Sequence, residues 1–235
     1  LTQAMTGRMI DADTPEESCK TLLECGYAPL ESCTLEHVES ALSQARAALY
    51  REVSVLAPDQ RIVEIFQVKY DYHNAKLALK AKRSGEEVSR LAMDCGRFDA
   101  QKVLRYESGA LSAAMSRAME QAEKEAGHSG DLRMAELLLD RACYEEMSAL
   151  VNETGSTFLK DYVALQIDAV NLRTLVRARR MGCEDDVLAA AMLPGGHIPA
   201  GQLKGARGDH LSSLTHGTPL DSAGELLSLI HISEP

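Results

Sequence analysis

At 235 residues, with 45% apolar and 26% charged side chains, the chain has room for one or two domains, each able to bury a core. Its net charge of −10 argues against nucleic acid as a partner, because that affinity rests on a basic surface, and no apolar run reaches the ~20 residues of a membrane span, so any membrane association is expected to be peripheral. The six cysteines (Cys19, Cys25, Cys33, Cys95, Cys143, Cys183) form no C-x-x-C pair and no Cys/His spacing of the zinc type; they read as reduced, partly buried thiols, and no metal or cofactor is expected.

Nearly every segment reads as helix. Thr14-Pro15-Glu16-Glu17 supplies an N-cap, a proline at the first helical position and two first-turn acids, opening a helix that stops at Gly26. A second helix is predicted over 35–56 and a third over 59–83, ended by Ser84-Gly85. Shorter helices follow at 86–93 and 99–107, then one over 111–126 before Gly127-His128-Ser129-Gly130 breaks the chain. Asp131 can cap a helix running to Asn152, and Ser156 another running to Arg180, ended by Gly182. No useful strand alternation appears and only 4% of residues are aromatic, so the fold class is all-α.

Two stretches are written from one template. Asp71 through Gly85 and Asp168 through Gly182 both read D-x-x-N-x-[KR]-x-x-x-[KR]-A-[KR]-R-x-G, 97 residues apart. The match resumes at an offset of 100, where Gly96-x-Phe98-x-Ala100-x-x-Val103 returns as Gly196-x-Ile198-x-Ala200-x-x-Leu203. An internal repeat fixes architecture before any motif is weighed. It divides the chain into a module at 1–107, a second at 108–208 and the start of a third at 209–226, whose signature helix would lie near position 265. The chain therefore reads as a fragment. Residues 227–235 resemble the translation of a DNA sequencing adapter and are left out of the fold reading.

Phased at ~100° per residue, Asp71 and Asn74 point into the apolar arc of their helix, and Asp168 and Asn171 do the same in the second copy. A buried carboxylate must find partners or shift its pKa. A catalytic reading needs a base, nucleophile or metal ligand beside each Asp, and none recurs: His73 is replaced by Val170. These four are therefore read as structural buried polar residues, and no catalytic residue is assigned. The basic strips Lys76, Lys80, Arg83 and Arg173, Arg177, Arg180 lie on the opposite sides of the two helices, either as solvated faces or as surfaces for an acidic partner. Leu193-Pro194-Gly195-Gly196-His197-Ile198-Pro199 has the glycines of a phosphate loop but neither the preceding strand nor the following Gly-Lys-Ser/Thr, and reads as a helix-terminating turn.

Taken together, 67–76 with Lys80-Ala81-Lys82, Asp161-Tyr162-Val163 through Arg177-Ala178, and Leu193-Pro194-Gly195-Gly196-x-Ile198-Pro199 make the chain similar, over 1–226, to the C subunit of bacterial and archaeal V/A-type rotary ATPases, the family that includes the d subunit of the eukaryotic V-ATPase. The resemblance implies a funnel of three helical modules about a pseudo-threefold axis, so that two modules superpose by a rotation near 120°. It implies a non-catalytic subunit, peripheral on the cytoplasmic face of the membrane, that joins the central-stalk subunits D and F to the proton- or sodium-translocating rotor ring of c/K subunits. The alternative is a free-standing cytosolic helical scaffold. If the third module is missing, its start at 209–226 is expected to leave Leu211, Leu214 and Leu220 exposed.

Overall fold

The chain is described by a computed structural model covering residues 2–107, 109, 111–130, 132–182, 184–205 and 209–230. Among the described residues there is no strand. The described residues form twelve α-helices: α1 Gln3–Ile10, α2 Pro15–Glu24, α3 Leu35–Leu56, α4 Gln60–Ser84, α5 Ala100–Leu104, α6 Ala113–Ser129, α7 Leu132–Thr154, α8 Thr157–Arg180, α9 Asp185–Ala191, α10 Ala200–Gly205, α11 Asp209–Thr215 and α12 Asp221–Ile230. The fold is all-α, and no described helix is long and apolar enough to cross a membrane.

Local sequence explains most helix starts. The side-chain oxygens of Thr14, Thr34, Ser112 and Ser156 each accept a backbone N–H three residues on, satisfying donors that a first turn leaves free. The order of the long helices keeps the repeat. α3 and α7 begin 97 residues apart at Leu35 and Leu132, and α4 and α8 begin 97 apart at Gln60 and Thr157. Gly85 and Gly182 both take positive φ just past the ends of α4 and α8, a conformation that costs glycine no Cβ clash.

Two segments depart from expectation. Between 86 and 93 only a single 3₁₀ turn forms, at Ser89–Leu91, because the backbone of Met93 is claimed by the Asn74 side chain and cannot continue a helix. The 127–130 segment does not break α6 at Gly127; the helix runs on to Ser129 and ends at Gly130, whose φ of 68° closes it. The cap expected at Asp131 lies outside the described residues, as do Cys183 and the last five positions of the adapter-like tail.

The chain divides into two compact units, one of 1–78 with 87–110, the other of 79–86 with 111–235. In the first, Val63, Ile65, Val68, Tyr72 and Ala75 on α4 are buried, together with Cys95, Ala100 and Val103. The stripe Val38, Leu42, Arg46, Tyr50, Ser54 of α3 is only half-buried. There Tyr50 meets Tyr70 edge-on at 5.7 Å, donates to the Phe66 carbonyl at 3.4 Å, and shares Tyr70 with the Arg46 guanidinium. In the second unit the corresponding stripe of α7, Ala135, Leu139, Cys143, Met147 and Val151, is fully buried. α6 supplies Met115, Ala118, Met119, Ala122 and Ala126 to the same unit's core. The five described cysteines are free thiols.

The start of the expected third module is not left bare. Leu211 is 1% exposed and joins Leu172, Leu175, Leu188, Ile198 and Leu203 in one cluster, with Leu214 and Leu220 half-buried against it. The short α11 folds back onto α8 and its following loop, so the three leucines expected to be exposed are instead covered from within the second unit. α11 and α12 meet closely enough that a Cβ on Gly224 would overlap the buried Thr215 hydroxyl. Leu226, on the far side of α12, is exposed.

Candidate functional site

α4 and α8 each carry one aspartate and, three residues on, one asparagine on the buried face, so the two side chains emerge one turn apart and reach the same following loop. In the first unit Asp71 is 0% exposed. Its Oδ1 accepts the backbone N–H of Arg97 at 2.9 Å and of Phe98 at 3.3 Å, and its Oδ2 accepts Arg97 Nε at 2.7 Å. Asn74 closes the loop's other end, donating from Nδ2 to the Met93 carbonyl at 2.9 Å while its Oδ1 accepts the Met93 N–H at 2.9 Å.

The second unit repeats this arrangement. Asp168, 2% exposed, accepts the His197 N–H at 3.0 Å on Oδ2 and the Ile198 N–H at 3.1 Å on Oδ1. Asn171 donates to the Leu193 carbonyl at 2.9 Å and accepts the Leu193 N–H at 2.8 Å. Each Asp–Asn pair thus grips its loop at two points, replacing the strand or helix ladder that buried backbone otherwise needs. Arg141 supports the second loop from outside, reaching the Ala190 and Met192 carbonyls at 3.2 and 3.3 Å.

The grip requires glycine at one position in each loop. A Cβ built on Gly96 would overlap Asp71 Oδ1, and one on Gly196 would overlap Asp168 Oδ1, so the backbone approaches each carboxylate as closely as it does only because no side chain intervenes. Gly196 of the second loop therefore serves the protein's own carboxylate. Its backbone N–H groups at 197 and 198 are already committed to Asp168.

Burial pushes both carboxyls above the ordinary value of 3.8; Arg97 and two backbone N–H groups oppose the shift at Asp71, while two backbone N–H groups and the nearby His197 ring oppose it at Asp168. A guanidinium pairs with Asp71, whereas the hydrogen bonds to Asp168 come from the backbone N–H groups of His197 and Ile198. Among the described residues no group of three His, Cys, Asp or Glu side chains is placed to hold a metal ion.

His73, half-buried, shares a hydrogen bond with the Leu91 carbonyl at 3.1 Å and takes no part in the grip. Of the basic strips, Lys76 is half-buried, while Lys80, Arg83, Arg173, Arg177 and Arg180 are exposed. Lys80 pairs with Glu136 of α7 at 2.7 Å, and Arg83 donates to the Ala126 carbonyl at the end of α6. Arg173 Nε bonds the Ala169 carbonyl of its own helix at 3.4 Å. The sequence reading missed Met93, Arg97 and Leu193 as partners of the buried pairs. Its second matched block, with Gly96 and Gly196 in register, was the available signal.

A family model described as ATP synthase (C/AC39) subunit matches residues 1–225. The chain is 24% identical over 197 residues to the C subunit of the V-type sodium ATPase of Enterococcus hirae, an alignment covering 82% of this chain and 60% of that one. It is 26% identical over 186 residues to the C subunit of the V-type ATP synthase of Thermus thermophilus, covering 70% of this chain and 53% of the relative. It is 23% identical over 212 residues to the C subunit of the A-type ATP synthase of Desulfurococcus sp., covering 84% and 58%. The aligned region thus spans between 53% and 60% of the length of these relatives.

Proposed function

The chain belongs to the ATP synthase (C/AC39) subunit family, and we propose that it serves a V/A-type rotary ATPase as a non-catalytic coupler, joining the D–F central stalk to the membrane rotor ring at the cytoplasmic face. The observation that carries this reading is the family match over 1–225, joined to a site whose buried Asp and Asn side chains are bonded to the protein's own backbone and to Arg97. Torque transmission asks for stiff, close-packed helices and broad contact on two sides rather than a reactive group. The Asp–Asn grips answer that need, because each fixes a long helix to the loop that follows it through four or five hydrogen bonds. In this reading the two copies are successive modules of a funnel about a pseudo-threefold axis, and residues 209–226 open a third.

Co-purification tests the assignment. A tagged version of the protein is mixed with the D–F stalk and, separately, with detergent-solubilised c/K ring; retention of either is the expected result. Failure to bind both, with the protein folded by circular dichroism, removes the coupling role.

A further inference from the structure

Cys19 stands in the middle of α2, and Cys33 ends the irregular segment that joins α2 to α3, one residue before the N-cap Thr34. Cys19 lies about 9 Å along the helix from the α2 C-cap at Cys25, so the connection must run back along α2 to bring Cys33 beside it. Gly26, at a φ of 86°, permits that reversal, and the Tyr27 N–H bonds the Leu22 carbonyl at 3.2 Å as the chain turns. The far end is fixed to α3: the Ser32 hydroxyl meets His37 Nδ1 at 2.7 Å, and Thr34 Oγ1 accepts the His37 N–H at 3.4 Å. Between these two anchors the Cys19 and Cys33 thiols are hydrogen-bonded to each other, both of them half-buried.

The other described thiols are placed differently. Cys25 donates to the Met5 thioether at 3.4 Å, while Cys95 and Cys143 are 1% and 5% exposed within the core. Cys19 and Cys33 thus combine thiol-to-thiol contact with access from solvent, the two conditions that oxidation to a disulfide requires. Cys19 is carried on a helix, whereas Cys33 is on non-helical backbone that can move to close the remaining gap.

We propose that Cys19 and Cys33 form a site of reversible oxidation, at which hydrogen peroxide converts the paired thiols to a disulfide that ties the middle of α2 to the entry of α3. One sulfur attacks the peroxide O–O bond, becoming a sulfenic acid and releasing water. The other sulfur then attacks it, the S–S bond forms, the S–O bond breaks and a second water leaves. The two thiols together lose two electrons and two protons, and the peroxide is reduced to two waters. The Cys19 thiol is pushed up to about 11, first by its hydrogen bond to Cys33 and then by burial, so Cys33 is the sulfur oxidised first and Cys19 the one that resolves it. This site lies within the first unit and is independent of the coupling role.

Disulfide mapping tests the proposal on the unsubstituted chain. The reduced 235-residue protein is treated with stoichiometric hydrogen peroxide, its remaining thiols are alkylated, and crosslinks are located by mass spectrometry after cleavage at glutamate, which separates Cys25 from Cys33 at Glu31. One intramolecular Cys19–Cys33 disulfide is expected, with two of the six thiols lost and both recovered by dithiothreitol. In urea the same treatment is expected to scramble the pairing toward Cys19–Cys25, which is nearer in the chain. Oxidation of the folded protein is expected to lower its unfolding constant on the order of 100-fold, the effect of closing a loop of about 15 residues, and to give no such shift in Cys33→Ser. The proposal is overturned if both thiols are alkylated after peroxide as fully as before, if Cys25 replaces either partner, or if the crosslink joins two chains. It is overturned equally if the folded protein gives the mixture seen in urea, or if oxidation leaves the urea midpoint unchanged or lower.

Discussion

Replacing Gly196 with alanine tests the site most directly, because it alters neither charge nor any hydrogen-bonding side chain. The new Cβ falls on Asp168 Oδ1, with Asp168 Cγ at 2.9 Å and Ile167 Cγ2 at 3.3 Å also in its way. All of these neighbours are buried and the carboxyl is gripped by the loop itself, so neither side can retreat cheaply. Moving the loop back lengthens the 3.0 and 3.1 Å bonds from His197 and Ile198 and leaves a buried carboxyl without donors. Loss of a hydrogen bond to a charged buried group costs about 1.5–3 kcal/mol. With partial relaxation, Gly196→Ala is expected to destabilise by about 2–4 kcal/mol, a large part of the roughly 5–15 kcal/mol typical of a folded domain. Gly201→Ala is the control, since nothing lies within 4 Å of its Cβ and it sits in α10, where alanine is favoured over glycine by about 1 kcal/mol. Urea unfolding followed by far-ultraviolet circular dichroism compares the two variants. A Gly196→Ala penalty no larger than that of Gly201→Ala would show that the loop is not held by Asp168 and would refute the close-approach argument.

Asp71→Asn should cost more than Asp168→Asn, about 3–5 against 1–3 kcal/mol, because only the former leaves a mostly buried guanidinium, Arg97, without its carboxylate; chemical denaturation of the two variants orders them. Asn171→Leu is expected to lose about 1–3 kcal/mol by stranding the Leu193 N–H and carbonyl together, and amide exchange at Leu193 should accelerate while that at Ile198 changes less. The folded-state pKa of Asp168 is raised, so its contribution to stability is complete below 3.8 and is lost as pH rises through the folded-state value. The stability gap between wild type and Asp168→Asn should therefore narrow from about pH 4 toward neutrality, in a scan at about half-unit steps; a gap that widens reverses the sign of the burial argument. Lys82→Ala is expected to cost only about 0.2–1 kcal/mol, since the Lys82 side chain of its pair with Glu123 is 58% exposed, and the loss should shrink in high salt.

The sequence by itself determined the helical class, the boundaries of the long helices and the identity of the four buried polar residues as a repeated set. Each follows from short-range physics: N-caps and glycine stops mark helix ends, and a period of about 3.6 residues places Asp71, Asn74, Asp168 and Asn171 on apolar faces. The same repeat was legible in Gly96 and Gly196 as matched letters, but their purpose was not, because each contact joins residues far apart in the chain and depends on where the loop returns. Only the tertiary structure decided that the buried pairs hold backbone, that one copy adds a side-chain bond from Arg97, and that Met93 and Leu193 are the asparagines' partners. It decided also that Leu211 is covered by the cluster beneath α8, and that Lys80 meets Glu136 while Arg177, the same letter of the repeat, stands exposed. Burial and pairing are properties of what lies across from a residue. Local sequence specifies the face a side chain occupies, and only the folded chain supplies the other side.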